Sequence, residues 1–134
     1  MKRVLLVDDN QAVTRSIRAT LTRSTNYAIR TVNDSRNAHA AALEFEPHVI
    51  VMDIDMPHKD GPSVAEDLRT DMRTRAIPIV FLSAICAQDD QVLSPGQTGR
   101  DLMIAKPFQL KTFLSVLREL LQPAGYPAGM LMAR

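Results

Sequence analysis

Two short apolar runs in this chain end in carboxylates. Val4-Leu5-Leu6-Val7 leads into Asp8-Asp9, and Val49-Ile50-Val51-Met52 leads into Asp53-Ile54-Asp55. If both runs are buried strands, their ends gather negative charge at one edge of a sheet. Two carboxylates ~4 Å apart repel by roughly 1 to 4 kcal/mol, depending on the effective dielectric. A hard divalent cation with oxygen ligands relieves that repulsion. Two more polar groups follow apolar runs: Ser83 after Ile79-Val80-Phe81-Leu82, and Lys106 after Leu102-Met103-Ile104. In an open parallel sheet, ligands bind beyond the carboxyl ends of the strands. Four strand ends would then deliver three carboxylates, one hydroxyl and one ammonium to a single edge. Lys106 precedes Pro107, a type of bond that can be cis.

The elements that must position these groups are legible as alternating patterns. Apolar runs at Val4–Val7, Ala28–Val32, Val49–Met52, Ile79–Leu82 and Leu102–Ile104 alternate with segments of helical period. Val13, Ile17 and Leu21 repeat at a spacing of four, one face of a helix. Asp34 and Ser35 form an N-cap signal before Ala38, Ala41, Ala42 and Phe45, and Pro47 stops that helix. Gly61-Pro62-Ser63 begins another, with Val64, Leu68 and Met72 expected inward. Leu110, Phe113, Leu114, Leu117, Leu120 and Leu121 make the strongest amphipathic stretch, wide enough to pack on a sheet. Strands alternating with helices at this spacing indicate βαβ units, hence an α/β fold with a parallel sheet and right-handed crossovers. A short, irregular helix is expected at Gln88–Leu93, because Ser94-Pro95-Gly96 and Gly99 interrupt it. Residues 123–134 keep no period and are expected to be a loose tail, with Met130-Leu131-Met132 able to dock.

At 134 residues the chain is about one domain, large enough for a proper core. A formal charge of +1 gives no bulk electrostatic case for nucleic acid or an anionic membrane. Arg15, Arg18 and Arg23 share one predicted helix, whose ordinary reading is a solvated surface. Cys86 is the single cysteine, which excludes an intramolecular disulfide and argues against a metal-thiolate cluster. The first apolar run is four residues long, too short for a signal peptide or a membrane span, so a cytosolic protein is expected.

These motifs together resemble the receiver domain of two-component response regulators over residues 1 to 122. The resemblance rests on Val7-Asp8-Asp9-Asn10, Met52-Asp53-Ile54-Asp55-Met56-Pro57 with Asp60-Gly61 behind it, Leu82-Ser83-Ala84, and Lys106-Pro107-Phe108. Any one of these is weak alone; the four in this order are specific. The resemblance implies a flavodoxin-like, doubly wound five-stranded parallel sheet in the order 2-1-3-4-5, with about five helices and an irregular fourth. It implies that Asp53 accepts a phosphoryl group, and that the Asp9 and Asp53 carboxylates and the Asp55 backbone carbonyl hold Mg2+, with Asp8 binding it directly or through water. Lys106 would pair with one phosphoryl oxygen and the Ser83 hydroxyl would bond another. Carboxylate attack on phosphorus brings two anions together, so a cation and a lysine ammonium are the groups such chemistry needs. Moving Ser83 toward the new anion would empty a space behind it.

The implied function is that of a stand-alone, phosphorylation-controlled switch. It would take phosphate from a histidine kinase or phosphotransfer protein, lose it to water, and act on an unidentified protein target through the face of the fourth helix, fifth strand and fifth helix. Nothing after residue 122 resembles a helix-turn-helix, so direct nucleic-acid binding is not expected, nor is a membrane. One departure is Met103, where the family usually carries Tyr or Phe; a methionine fills gaps flexibly but has no phenol to re-aim. Met103 and Pro95 favour a second reading, a degenerate receiver that binds without phosphate. A third, a phosphatase of the haloacid-dehalogenase type, matches Asp53-Ile54-Asp55 but expects that motif to open the fold, whereas Asp8-Asp9 comes first here. The Asp55 side chain is expected to face the phosphoryl entrance and to tune entry of donor or water. Asp60 reads as a turn residue before Gly61. His39, His48 and His58 lack metal-ligand spacing and receive no catalytic role.

Overall fold

The computed structural model describes residues 1–83, 101–106 and 108–121, and the backbone of 92–93. Each apolar run forms a strand: β1 (Arg3–Val7), β2 (Ala28–Val32), β3 (Val49–Asp53), β4 (Ile79–Ser83) and β6 (Leu102–Ala105), with a two-residue β5 (Val92–Leu93) before the last. The sheet runs β2-β1-β3-β4-β6-β5. Its first five members are parallel, which is the 2-1-3-4-5 order of the flavodoxin-like fold.

Among the described residues, four helices cover the two faces: α1 (Gln11–Ser24), α2 (Ala38–Phe45, after a 3-10 turn at Ser35–Asn37), α3 (Gly61–Arg69) and α4 (Leu110–Leu120). Side chains alternate along each strand. Leu5, Val7, Ile50, Met52, Ile79 and Phe81 pack with Ala38, Ala41 and Ala42 of α2 and Val64, Ala65 and Leu68 of α3. Val4, Leu6, Val51, Val80, Leu82 and Ile104 pack with Leu21 of α1 and Phe113, Val116 and Leu117 of α4. Burial on both faces explains why the strands read as continuous apolar runs. Each fully buried Leu or Phe contributes roughly 1.5–3 kcal/mol.

Local chemistry sets the helix ends. The Asn10 side chain accepts the N–H groups of Ala12 and Val13 and starts α1. Asp60 accepts the Ser63 N–H and starts α3, with Pro62 in the first turn. The Ser63 hydroxyl and then its N–H hold the Asp60 carboxyl below its ordinary range. After α2, Glu46 takes a left-handed conformation at φ 51°, and Pro47 follows.

Met72 was expected to face inward but is 79% exposed. Helix α3 stops at Arg69, and the buried Thr74 hydroxyl donates to the Leu68 carbonyl, so the helical period does not reach residue 72. Leu110 is also exposed, at the start of α4. Where a helix was expected at Gln88–Leu93, Val92 and Leu93 instead pair antiparallel with Ile104 and Met103. β6 offers an edge of backbone groups with which an extended segment can pair. The rest of that segment, Cys86, Pro95, Pro107 and the tail at 123–134 lie outside the described residues.

Candidate functional site

β1 and β3 run side by side in register as far as Val7 opposite Met52. Asp8 and Asp53 come next on the two strands, at the carboxyl edge of the sheet. One carboxylate oxygen from each of Asp8, Asp9 and Asp53 lies within 4.8 Å of the others. Asp8 is buried, Asp53 half-buried and Asp9 exposed, so the cluster opens to solvent on one side.

The most constrained member is Asp8. Its Oδ1 accepts the Asn10 N–H at 2.9 Å. Its Oδ2 is buried and has no hydrogen-bond partner; the Lys106 Nζ stands 3.9 Å away. Burial pushes the Asp8 carboxyl above its ordinary range and the Asn10 N–H pulls it back; Asp53 pushes it up, Lys106 draws it down, and Asp9 adds a last upward push. A buried acceptor without a donor is costly, and here it sits beside two more carboxylates. An orphaned oxygen within an all-oxygen, anionic donor set fits a hard divalent cation such as Mg2+.

Lys106 ties the other strand ends to this cluster. Its Nζ donates to Asp53 Oδ1 at 3.2 Å, and its backbone N–H donates to the Ser83 carbonyl at 2.6 Å. Ser83 itself is buried at the end of β4. It lies two residues beyond Phe81, which pairs in register with Met103. Met103 is half-buried and packs against the core on the α2 and α3 side. Below the site, the Ile54 N–H donates to the Leu82 carbonyl at 3.1 Å and the Gly61 N–H to the Ile54 carbonyl at 2.8 Å. These bonds draw the start of α3 against the β3 end.

The structure thus gathers Asp8, Asp9, Asp53 and Lys106 at one point and sets Ser83 next to them through the Lys106 backbone. Asp55 is exposed two residues past Asp53. Met103 lies within the sheet rather than in the cluster. Asp60 serves as the α3 cap, in keeping with its reading as a turn residue. The histidines lie elsewhere: His39 Nε2 contacts Asp71 Oδ2 at 2.9 Å, His48 accepts the Arg3 N–H, and His58 is exposed with φ 72°. Arg15, Arg18 and Arg23 are all exposed on α1. Sequence reasoning missed Asn10, Thr14 and Asn33 around Asp8, although Asn10 carries a readable signal as a cap residue before a helix.

Comparison with known proteins agrees with this geometry. The response regulator receiver domain matches residues 4–118. The transcriptional regulatory protein PrrA of Mycobacterium tuberculosis is 36% identical over 126 residues, covering 94% of this chain and 52% of PrrA. The DNA-binding dual master transcriptional regulator RpaA of Synechocystis is 30% identical over 91% of this chain and 50% of its own length. The chain spans about half the length of these curated relatives. Among solved structures, the chemotaxis response regulator CheY4 of Vibrio cholerae superposes with a TM-score of 0.73 at 26% identity, over 90% of this chain and 99% of CheY4. The receiver domain of the sensor histidine kinase PA1611 of Pseudomonas aeruginosa, which holds a magnesium ion in its active-site cleft, superposes with a TM-score of 0.71 at 27% identity, over 89% of this chain and 96% of that one. No helix among the described residues is long and apolar enough to cross a membrane. Fold, carboxylate cluster and sequence match converge on one assignment: the chain belongs to the response regulator receiver domain family of two-component systems.

Proposed function

We propose that this domain is a phosphorylation-controlled switch with Asp53 as the phosphoryl acceptor. The observation that carries the reading is the ammonium of Lys106 at 3.2 Å from Asp53 Oδ1, beside an acidic cluster. In this reading an Asp53 oxygen forms a bond to phosphorus while the P–N bond of a donor phosphohistidine breaks, its electron pair returning to the ring nitrogen, and the imidazole, already protonated on its other nitrogen, leaves neutral. Lys106 pairs with a phosphoryl oxygen and offsets the charge that develops there. Ser83 offers its hydroxyl to a second oxygen. Asp8, Asp9, Asp53 and the Asp55 carbonyl would hold Mg2+, which supplies neutralisation of the anionic phosphoryl group when bound. Water then attacks phosphorus, releasing inorganic phosphate and restoring the Asp53 carboxylate.

The donor partner is a histidine kinase or phosphotransfer protein, and the output is a contact with a protein target. Ser83 and Met103 form the switch: both belong to the sheet face that packs under α2 and α3, so a shift of the hydroxyl toward phosphate changes the space available to the thioether. Asp55, exposed beside the acceptor, places a further negative charge where donor and water approach.

The test is to treat wild type and Asp53→Asn with a small-molecule phosphodonor, with Mg2+ or with EDTA, and weigh the intact protein. One phosphoryl adduct on wild type, dependent on Mg2+ and absent from Asp53→Asn, is expected. An adduct retained by Asp53→Asn, or none on folded wild type, would overturn the assignment.

A further inference from the structure

Asp8 is held from more directions than its place at a strand end requires. Its N–H donates to the Val32 carbonyl at 3.0 Å. Its carbonyl accepts from Asn33 Nδ2 at 2.8 Å. The same Asn33 amide group donates to Thr14 Oγ1 at 3.0 Å. The Thr14 hydroxyl in turn donates to the Gln11 carbonyl at 3.1 Å. Thr14 is 3% exposed, although it lies on a surface helix.

The proton bookkeeping of this chain closes. The Asn33 amide has two hydrogens, and its two partners are a carbonyl oxygen and a hydroxyl oxygen whose own proton is committed to Gln11. Reversing the amide would set its oxygen against the Asp8 carbonyl oxygen, so the neighbours fix its orientation. One side chain therefore fastens the end of β2 to the backbone of Asp8 and to the first turn of α1. On the far side, Asn10 caps α1 through its side chain and holds Asp8 Oδ1 through its N–H. What remains without a hydrogen-bond partner is Oδ2, the oxygen nearest Lys106.

We propose that Asn33, backed by Thr14, is a positioning residue that aims Asp8 Oδ2 at a bound divalent cation. This rests on the reading of the acidic cluster as a Mg2+ site. A ligand oxygen already fixed in place loses little freedom when the ion arrives. Groups that hold metal ligands in this way typically influence affinity by about 10–100-fold. Asn33 acts through the backbone of the ligand rather than on its carboxylate, so the lower end of that range applies.

Mg2+ affinity, measured by calorimetric titration of the folded protein, tests this on four proteins: wild type, Asn33→Ala, Thr14→Val and Thr74→Val. Thr74 is the control, a buried threonine whose hydroxyl donates to the Leu68 carbonyl at 2.7 Å, outside the cluster. Asn33→Ala should weaken Mg2+ binding about tenfold, and Thr14→Val by a smaller factor. Thr74→Val should lower the melting temperature yet leave affinity unchanged. Asn33→Ala binding Mg2+ as wild type does would overturn the proposal; should that variant fail to fold, wild-type affinity in Thr14→Val would do so. Equal weakening in Thr74→Val would also overturn it, because affinity would then follow stability alone. Absence of Mg2+ binding by wild type would instead sink the site reading, and this inference with it.

Discussion

A Cβ added to Gly61 would lie 2.6 Å from the carbonyl oxygen of Asp53. The same atom would stand 3.0 Å from the Ile54 Cα. Both neighbours are backbone and neither can swing aside. Gly61 is therefore the point where α3 leans directly on the peptide that follows the proposed acceptor. Gly61→Ala should cost about 1–3 kcal/mol in urea unfolding, the scale of overpacking a tight site. It should also slow phosphorylation, because relief of the clash displaces Asp53. A variant with wild-type stability and wild-type phosphorylation would refute the close approach.

The three clustered carboxylates should make the metal-free protein less stable than it would be without one of them. Asp8 is the buried member, pushed toward its neutral form. Asp8→Asn keeps an oxygen for the Asn10 N–H and removes the charge. In EDTA it should melt a few degrees above wild type, the shift that about 1 kcal/mol produces in a domain of this size. Millimolar Mg2+ should shrink that gain by stabilising wild type alone. A melting temperature at or below wild type in EDTA would mean that the charges are already relieved within the protein.

At the opposite edge of the sheet, Arg69 of α3 forms an ion pair with Asp101, just before β6. Asp101 is 5% exposed and also accepts the Ile79 N–H at 3.3 Å. The other Arg69 branch donates to the carbonyls of Arg75 and Ile77. Asp101→Ala would strand a guanidinium and the first N–H of β4 together. The expected loss is about 3 kcal/mol, the low end for a broken buried pair because Arg69 keeps some exposure. Adding Arg69→Met should recover part of it, and a double variant no more stable than Asp101→Ala would refute the argument.

His48 supplies a pH dependence. Its Nδ1 accepts the Arg3 N–H at 2.9 Å, which needs an unprotonated nitrogen. Burial lowers its pKa first, and the charges of Arg3, Lys2 and the N-terminus lower it further. The unfolded chain therefore binds the proton more readily than the folded one. This contribution to stability is complete above the ordinary histidine value of ~6.5 and is lost as pH falls through the lower folded value. His48→Asn keeps an acceptor and cannot titrate. Between pH 7 and 5 wild type should lose stability more steeply than His48→Asn, and parallel curves would exclude His48 as the cause.

Strand positions were legible because both faces of the sheet are covered, so Val4–Val7, Val49–Met52 and Ile79–Leu82 carry no polar interruption. Asp8, Asp9, Asp53 and Lys106 were legible because each directly follows, or nearly follows, such a run. The partners of these residues were not. Asn33 and Thr14 follow no pattern, since their meaning depends on which strands become neighbours. Arg69 and Asp101 are 32 positions apart, and an arginine at a helix end reads as solvated until β6 arrives beside it. Met72 misled for a simpler reason: a periodic pattern does not announce where a helix stops when the terminator is a threonine hydroxyl reaching back to Leu68.

The sheet order places β1 between β2 and β3, while the cationic group of the site waits for residue 106. A growing chain on the ribosome can lay β2 against β1 early, yet it carries acids 8, 9 and 53 without their counter-charge through the next half-hundred residues. The charge cluster at this edge is thereby completed only after most of the sheet has been synthesised.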